Sequence, residues 1–231
     1  MDELFQVIPI EGKGLGCIAQ KTIKKETLIL QEKPQCVAKE VRHKEERIGI
    51  DIQSLIESFY RMSKADQKEY LKLFNRFEGC DDVKTQRLDW MLWIKAMFDN
   101  EKKRQELRDI VGIYNTNAFG MGVGIRSSRF NHSCTSNAEA IWDEVTESIE
   151  ITAISEINAG DEITVNYGFG IISMKSLKIR QEFLLSKWGF SCSCDLCEKE
   201  KTIQSFHCEK DLGIWLQCNS TGISFCSSII Q

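Results

Sequence analysis

Three cysteines that fall within six residues, Cys192, Cys194 and Cys197, constrain the fold of this chain more than any other feature. Thiols this close in sequence make poor disulfides with one another, but they can bind one side of a metal ion. Structural zinc sites are closed tetrahedra of four Cys or His ligands, so a fourth ligand must come from elsewhere. We choose Cys134, which ends the distant segment Asn-His-Ser-Cys. The sequence therefore predicts one zinc ion that pins the C-terminal tail.

The other cysteines leave a second metal site open. Six of the ten cysteines lie beyond residue 190, so the sulfur chemistry belongs to the tail. The chain begins with acidic residues where a secretory signal would carry bases, and we expect a reducing intracellular compartment. In such a compartment dense cysteines favour metal binding over disulfides. A second site has candidate ligands but no C-x-x-C pair: His207, Cys208, Cys218 and Cys226.

The composition is that of an ordinary globular protein with room for one large domain and an inserted lobe. The chain has 231 residues, of which 42% are hydrophobic and 28% charged. A net charge of -4 argues against direct nucleic-acid binding but permits an acidic groove for a basic peptide. No apolar run approaches the roughly 20 residues that span a bilayer. We expect a monomer that binds neither nucleic acid nor membrane.

The first 40 residues are typical of short strands and turns. A compact apolar run covers residues 4–8, and a glycine-rich flexible turn covers 12–16. Strands are predicted at 17–19 and 27–30, before Pro34 breaks the pattern.

The middle of the chain, residues 44–112, predicts helices. Ser63 is a helix N-cap, because its hydroxyl can accept from the free amides of the first turn. Further apolar stripes predict a third helix near 90–98 and a short fourth helix over 100–108. The first two helices are predicted from apolar residues at helical spacing: Ile52, Leu55, Ile56 and Phe59, then Tyr70, Leu71, Phe74 and Phe77.

Strands return in the last third. Residues 137–142 and 149–154 predict a hairpin, and 158–161 a tight turn before a strand at 162–167. A final helix is predicted over 173–187, ahead of the cysteine cluster.

Two further segments carry chemistry. The pair Gly14 and Gly16 predicts close backbone approach to a ligand. Backbone amides there suit a cofactor that carries a carboxylate, with Lys13 as a charge partner. No strand-to-helix dinucleotide motif surrounds these glycines, which argues against a nicotinamide enzyme.

His132 has several interpretations: a base, a metal ligand or a residue that fixes a loop by hydrogen bonds. A thiol-dependent hydrolase that pairs His132 with Cys134 is an alternative, although no orienting acid is evident. Tyr167 ends an apolar strand, which on residue type alone indicates simple packing.

Four segments in this order resemble the SET-domain protein-lysine methyltransferases: residues 13–16, 129–137, 159–168 and 188–197. The last of them resembles the post-SET zinc motif. Within the family the chain is most similar to the SET-and-MYND branch, which the helical insert and Asn117-Ala118-Phe119 support. The MYND zinc finger, which that branch inserts near Cys36, is absent here.

The resemblance implies an α+β, mainly β fold: small curved sheets with a knot-like thread, a helical insert and a zinc-bound post-SET tail. It divides the chain into an N-terminal SET part (1–43), the insert (44–112), a C-terminal SET part (113–170) and the tail (171–231).

The resemblance also implies methyl transfer from S-adenosylmethionine to a lysine of a protein, histone or non-histone, in the nucleus or cytoplasm. Tyr167 is then the catalytic residue, which orients the lysine amine. A zinc-stabilised interaction module without strong catalysis is the alternative function. The zinc ligands are Cys134, Cys192, Cys194 and Cys197, and the cofactor-binding residues are Lys13, Gly14, Leu15, Gly16, Asn117, Ser128, Asn131, His132, Tyr167 and Phe190.

Overall fold

The computed structural model describes residues 3–42, 48–78, 100–168, 174–202, 205–207, 215–219 and 222–223. The chain forms two compact units. The first contains Met1–Asn131 and Asn137–Ile163, and the second contains His132–Ser136 and Thr164–Gln231. Small sheets accompanied by a few helices confirm the expected α+β, mainly β architecture.

In the first unit, strands β1 (Phe5–Ile10) and β2 (Gly14–Ala19) form an antiparallel hairpin. The predicted flexible turn over 12–16 is too long, because Gly14 already pairs with Ile10. Gly14 has a φ of 74°, a conformation that glycine adopts at little cost, so the chain enters β2 directly after residues 11–13. The other edge of β2 pairs with the start of β11 (Glu162–Val165), where Ile163 faces Cys17.

A second sheet has the order β3-β10-β9, from β3 (Leu28–Glu32), β9 (Ala138–Asp143) and β10 (Ser148–Ala153). The predicted hairpin of β9 and β10 is confirmed. Ile149 and Ile151 are both buried, since alternate residues of a strand face the same side.

Three helices pack into one apolar core: α1 (Ile52–Arg61), α2 (Lys64–Tyr70) and α3 (Glu101–Asn117). The predicted cap is confirmed, because Ser63 Oγ accepts from the Asp66 N–H over 3.1 Å. Residues from all three helices are buried in this core: Leu55, Phe59, Tyr70, Leu107, Ile110 and Ile113.

Two helix predictions were wrong in extent. Helix α2 ends at Tyr70, and Phe74 lies beyond it with 59% of its surface exposed. The side chain of Asn75 accepts from the Phe77 N–H over 3.0 Å, which closes a local turn in place of further helix. The predicted short fourth helix is α3, which runs on to Asn117. The predicted stripe over 90–98 falls outside the described residues.

Short elements complete the first unit. Strand β4 (Cys36–Val37) pairs with β7 (Gly122–Val123), and β5 (Glu40–Arg42) pairs with β6 (Ile48–Ile50). A 3-10 turn, Ser127–Arg129, leads into the two-residue strand β8 (Asn131–His132), whose second residue belongs to the second unit.

The second unit holds helices α4 (Leu177–Trp188) and α5 (Asp195–Thr202) and strands β12 (Ser205–His207), β13 (Trp215–Asn219) and β14 (Gly222–Ile223). Helix α4 starts later than predicted because the Ser176 hydroxyl caps its first turn, and it ends at Gly189, whose φ is 77°. Helix α5 was not predicted.

The described residues test two further sequence predictions, the second metal site and the lack of a membrane span, only in part. Of the proposed second metal site, Cys208 and Cys226 and the side chains of His207 and Cys218 lie outside the described residues. Within the described ranges, no helix combines the length and apolarity needed to cross a membrane.

Candidate metal centre and its neighbours

The four predicted zinc ligands meet in the second unit. The sulfur atoms of Cys134, Cys192, Cys194 and Cys197 all lie within 4.8 Å of one another. Cys134 Sγ is 4.0 Å from Cys192 Sγ and 3.7 Å from Cys197 Sγ. A tetrahedron with Zn–S bonds of about 2.3 Å has edges of roughly 3.8 Å, so the donor set fits zinc. Among the described residues no other group has this metal-binding geometry.

Local structure places each ligand. Cys134 follows β8, Cys192 and Cys194 lie in the loop after α4, and Cys197 stands in the first turn of α5. The Gln181 side chain on α4 donates to the Cys192 carbonyl over 2.7 Å and accepts from its N–H over 2.8 Å. The Cys194 N–H in turn donates to Cys192 Sγ over 3.4 Å. Part of the cluster is thus held by hydrogen bonds from within the protein.

Without a metal the thiols must share their protons. Cys134 donates to Cys192, and this hydrogen bond raises the pKa of Cys134 and lowers the pKa of Cys192. A divalent cation replaces such shared protons and lets every sulfur bind as thiolate. Cys134 is also 4% exposed, so burial and its sulfur neighbours argue against a hydrolase nucleophile.

His132 lies beside the cluster and is 6% exposed. Its Nε2 is 3.5 Å from Cys134 Sγ, and its Nδ1 accepts from the Tyr167 N–H over 3.1 Å. The imidazole therefore works as a structural hydrogen-bonding group on both sides.

An aromatic cluster surrounds the half-buried ring of Tyr167. The Trp188 ring centroid is 5.1 Å away, the His132 centroid 5.4 Å and the Phe190 centroid 6.3 Å. Phe190 also lies 6.0 Å from His132. Aromatic faces of this kind exclude water and attract cations.

In the first unit, the glycine segment meets Asn131 and Glu162. The Asn131 amide donates to the Leu15 carbonyl over 3.2 Å and to Glu162 Oε1 over 2.9 Å. Lys13 Nζ contacts Glu162 Oε2 at 2.6 Å. A Cβ on Gly16 would lie 2.6 Å from Asn131 Nδ2, so this close approach requires glycine. Two predicted cofactor residues, Lys13 and Asn131, thus share the Glu162 carboxylate.

Asn117 and Ser128 make internal hydrogen bonds. The Asn117 amide donates to the carbonyls of Phe74 and Ile113, each over 2.7 Å. Ser128 Oγ donates to the Gly124 carbonyl over 2.6 Å. The cofactor roles assigned to these and the other residues stay predictions.

Four residues of these sites were not predicted from the sequence. Glu162 and Trp188 lay inside recognised segments without being assigned a role. Gln181 and Arg180 were not assigned a role either. Only Arg180 could have been found from the sequence: it repeats the helical spacing of Leu177 and Leu184, so it falls on the apolar face of α4.

Comparisons with known proteins agree with this architecture. The sequence profile described as SET domain matches residues 14–168. The histone-lysine N-methyltransferase set5 of Schizosaccharomyces pombe is 26% identical over 199 residues, which is 86% of this chain and 52% of that protein. A SET and MYND domain-containing protein of Dictyostelium discoideum is 35% identical over 95 residues, 40% of this chain and 18% of that one.

Among solved structures, the SET domain of LSMT bound to lysine and AdoHcy superposes with a TM-score of 0.53 at 14% identity, covering 83% of this chain and 53% of that one. This likeness confirms the expected fold. The resemblance to SET-domain proteins, SET-and-MYND proteins included, is also confirmed. The chain spans about half the length of set5, at 52%.

Proposed function

This chain belongs to the SET-domain family, and from that premise we propose that it is a protein-lysine N-methyltransferase. It transfers a methyl group from S-adenosylmethionine to the side-chain amine of a protein lysine. The name of set5 makes a histone tail the first substrate to test. A histone substrate also implies a nuclear location, which imaging of the tagged protein tests.

The observation that carries the proposal is the environment of Tyr167. Its ring stands among His132, Trp188 and Phe190, and its backbone is held by His132. A tyrosine hydroxyl in an aromatic setting can orient an amine, while the rings accept the positive charge of a methylated product. The same rings exclude water from the amine.

The lysine nitrogen would attack the methyl carbon of the donor's sulfonium, so that an N–C bond forms as the C–S bond breaks and the neutral thioether leaves with the bonding electron pair. Lysine has a reference pKa of about 10.4, so the reaction needs an environment that favours the neutral amine. The positive charge of the donor's sulfonium disfavours a second positive charge beside it and so lowers the pKa of the lysine amine. Tyr167 fixes the nitrogen, and this positioning is a proximity effect. Solvent takes the proton that the lysine amine gives up.

The residues that the resemblance assigns to the donor are divided between the two units. The backbone of the Lys13–Gly16 segment is the candidate for the amino-acid carboxylate of the donor, while the side chains of Lys13 and Asn131 contact Glu162. Phe190 offers a flat apolar face for the adenine ring.

The deciding experiment is methyl transfer from labelled S-adenosylmethionine onto purified core histones and onto cell extract. We expect label on a histone band, removed when the target lysine is changed to arginine. The Tyr167→Phe variant serves as the matched control. Donor binding without transfer to any protein would favour the zinc-stabilised interaction module instead.

A further inference from the structure

A completely buried arginine lies against the metal centre. Arg180 on α4 is 1% exposed, although Arg is almost never buried without partners. Its Nη2 lies 3.6 Å from Cys197 Sγ and 3.0 Å from Glu200 Oε2. Its Nη1 donates to the Lys175 carbonyl over 2.6 Å and lies 3.3 Å from Glu200 Oε1.

These contacts connect helices α4 and α5, which lie on either side of the loop that carries Cys192 and Cys194. Cys197 and Glu200 stand three residues apart on α5, so they lie on the same face and both meet the guanidinium. Lys175 precedes α4, on which Arg180 itself stands. One side chain therefore ties the start of α4 to the face of α5 that carries a metal ligand.

The charge of a filled metal centre would favour an arginine at this position. Four thiolates around one divalent cation carry a net charge of two negative units, buried in apolar surroundings with Leu184. Such a charge is costly unless hydrogen-bond donors and positive groups face it. The planar fork of arginine can serve a carboxylate and a sulfur at once, which an ammonium cannot do with the same geometry.

We propose that Arg180 is a positioning residue of the metal centre: it donates to the Cys197 thiolate, offsets the thiolate charge and thereby retains the metal. Outer partners of this kind orient ligands and tune their basicity. The proposal concerns the metal centre and does not depend on the methyltransferase activity.

The first test is the rate at which zinc-loaded protein releases its metal to a coloured chelator. We expect Arg180→Met, which keeps much of the packing, to release zinc about tenfold faster than the parent. Arg180→Lys keeps the positive charge but loses the planar pair of donors, so its rate of zinc release should be intermediate. Lys178→Met is the matched control on the same helix, since the Lys178 side chain is 71% exposed, and it should stay within twofold.

If Arg180 only packs between the two helices, the opposite order is expected. Such a role predicts that Arg180→Met retains zinc as well as Arg180→Lys or better, and that order would overturn the proposal. Release from Arg180→Met within twofold of the parent would overturn it equally.

Cobalt substitution reports on the thiolate directly. Loss of a donor and a positive charge makes the sulfur richer in electrons, so the sulfur-to-cobalt charge-transfer band should move to longer wavelength in Arg180→Met. If that variant does not fold, Arg180→Lys should show a smaller shift in the same direction. Glu200→Gln leaves the guanidinium beside Cys197 and should not move the band to longer wavelength. A shift in Glu200→Gln as large as in the arginine variants would show that Arg180 acts only through helix packing.

Discussion

The backbone N–H of Tyr167 donates to Nδ1 of His132 across 3.1 Å, so the orientation of the tyrosine depends on the histidine ring. An Nδ1 that accepts carries no proton, which leaves Nε2 as the N–H of the neutral ring. That nitrogen lies 3.5 Å from Cys134 Sγ. A metal-bound thiolate at Cys134 would therefore fix the tautomer of His132 and, through it, the backbone at Tyr167.

We predict that His132→Ala lowers methyl transfer by roughly 10- to 100-fold, the usual range for partners that orient a site. His132→Asn should retain more activity, because its side-chain oxygen can accept near the position of Nδ1. Single-turnover rates at saturating donor measure both. Equal losses in the two variants would show that the bond to Tyr167 has no role.

Tyr167→Phe keeps the ring packing and removes one oxygen. We predict a fall in turnover of roughly a hundredfold to a thousandfold, equivalent to roughly 2.7 to 4 kcal/mol of transition-state stabilisation. Donor affinity should change little. Tyr60→Phe removes a hydroxyl from the exposed side of α1 and serves as the control. Transfer by Tyr167→Phe within a few-fold of the parent would mean that another residue orients the amine.

Phe190→Ala should reduce the favourable free energy of donor binding more than it lowers the free energy of unfolding. The loss of one aromatic stacking partner corresponds to roughly 0.5 to 1.5 kcal/mol, hence roughly a 2- to 12-fold higher Kd. Calorimetric titration measures the affinity. Phe183→Ala, whose ring packs 5.7 Å from Trp188, should lower stability without changing affinity. An unchanged Kd in Phe190→Ala would rule out its place in the donor pocket.

The purified protein should contain about one zinc ion per chain by elemental analysis. Removal of the metal by a chelator should lower the melting temperature, because structural zinc contributes directly to folding. Cys194→Ser should lose the metal and loosen the tail. Cys36→Ala should retain the metal, since Cys36 lies in the core of the first unit. A protein that stays metal-free, folded and active would contradict the assignment.

The buried thiol of Cys36 predicts an alkaline loss of stability. Burial raises its pKa to about 12, while an unfolded thiol titrates near pH 8.5. A raised folded pKa stabilises the protein fully below about pH 8.5, and this stabilisation is lost as pH rises toward 12. Between pH 8.5 and 10, the free energy of unfolding of the parent should approach that of Cys36→Ala by about 2 kcal/mol. Urea titrations at both pH values measure the difference, and a constant difference would contradict this account.

Sequence patterns predicted the features that depend on near neighbours. The Ser63 cap and the hairpin of β9 and β10 follow from residues within a few positions of each other. The early end of α2 was missed because the chain changes there to short turns, in which the Leu73 N–H donates to the Tyr70 carbonyl over 2.9 Å.

Three of the four clustered cysteines were predictable for the same local reason, since they lie in one short segment. Their supporting residues were not. The spacing of Arg180 places it on the apolar face of α4, but its partners are known only once α5 brings Cys197 and Glu200 to its guanidinium. Glu162 likewise gains its role only when β11 pairs with β2.

The two hydrogen bonds between Gln181 and the backbone of Cys192 bear on the entropy cost of metal binding. The amide side chain of Gln181 bonds both the N–H and the carbonyl of Cys192, as a neighbouring β-strand would. Helix α4 thereby fixes the loop that follows it. A loop already seated on a helix loses less conformational entropy when it captures an ion. In the folded protein α4 therefore holds Cys192 in place by itself, and metal binding has less of this loop left to order.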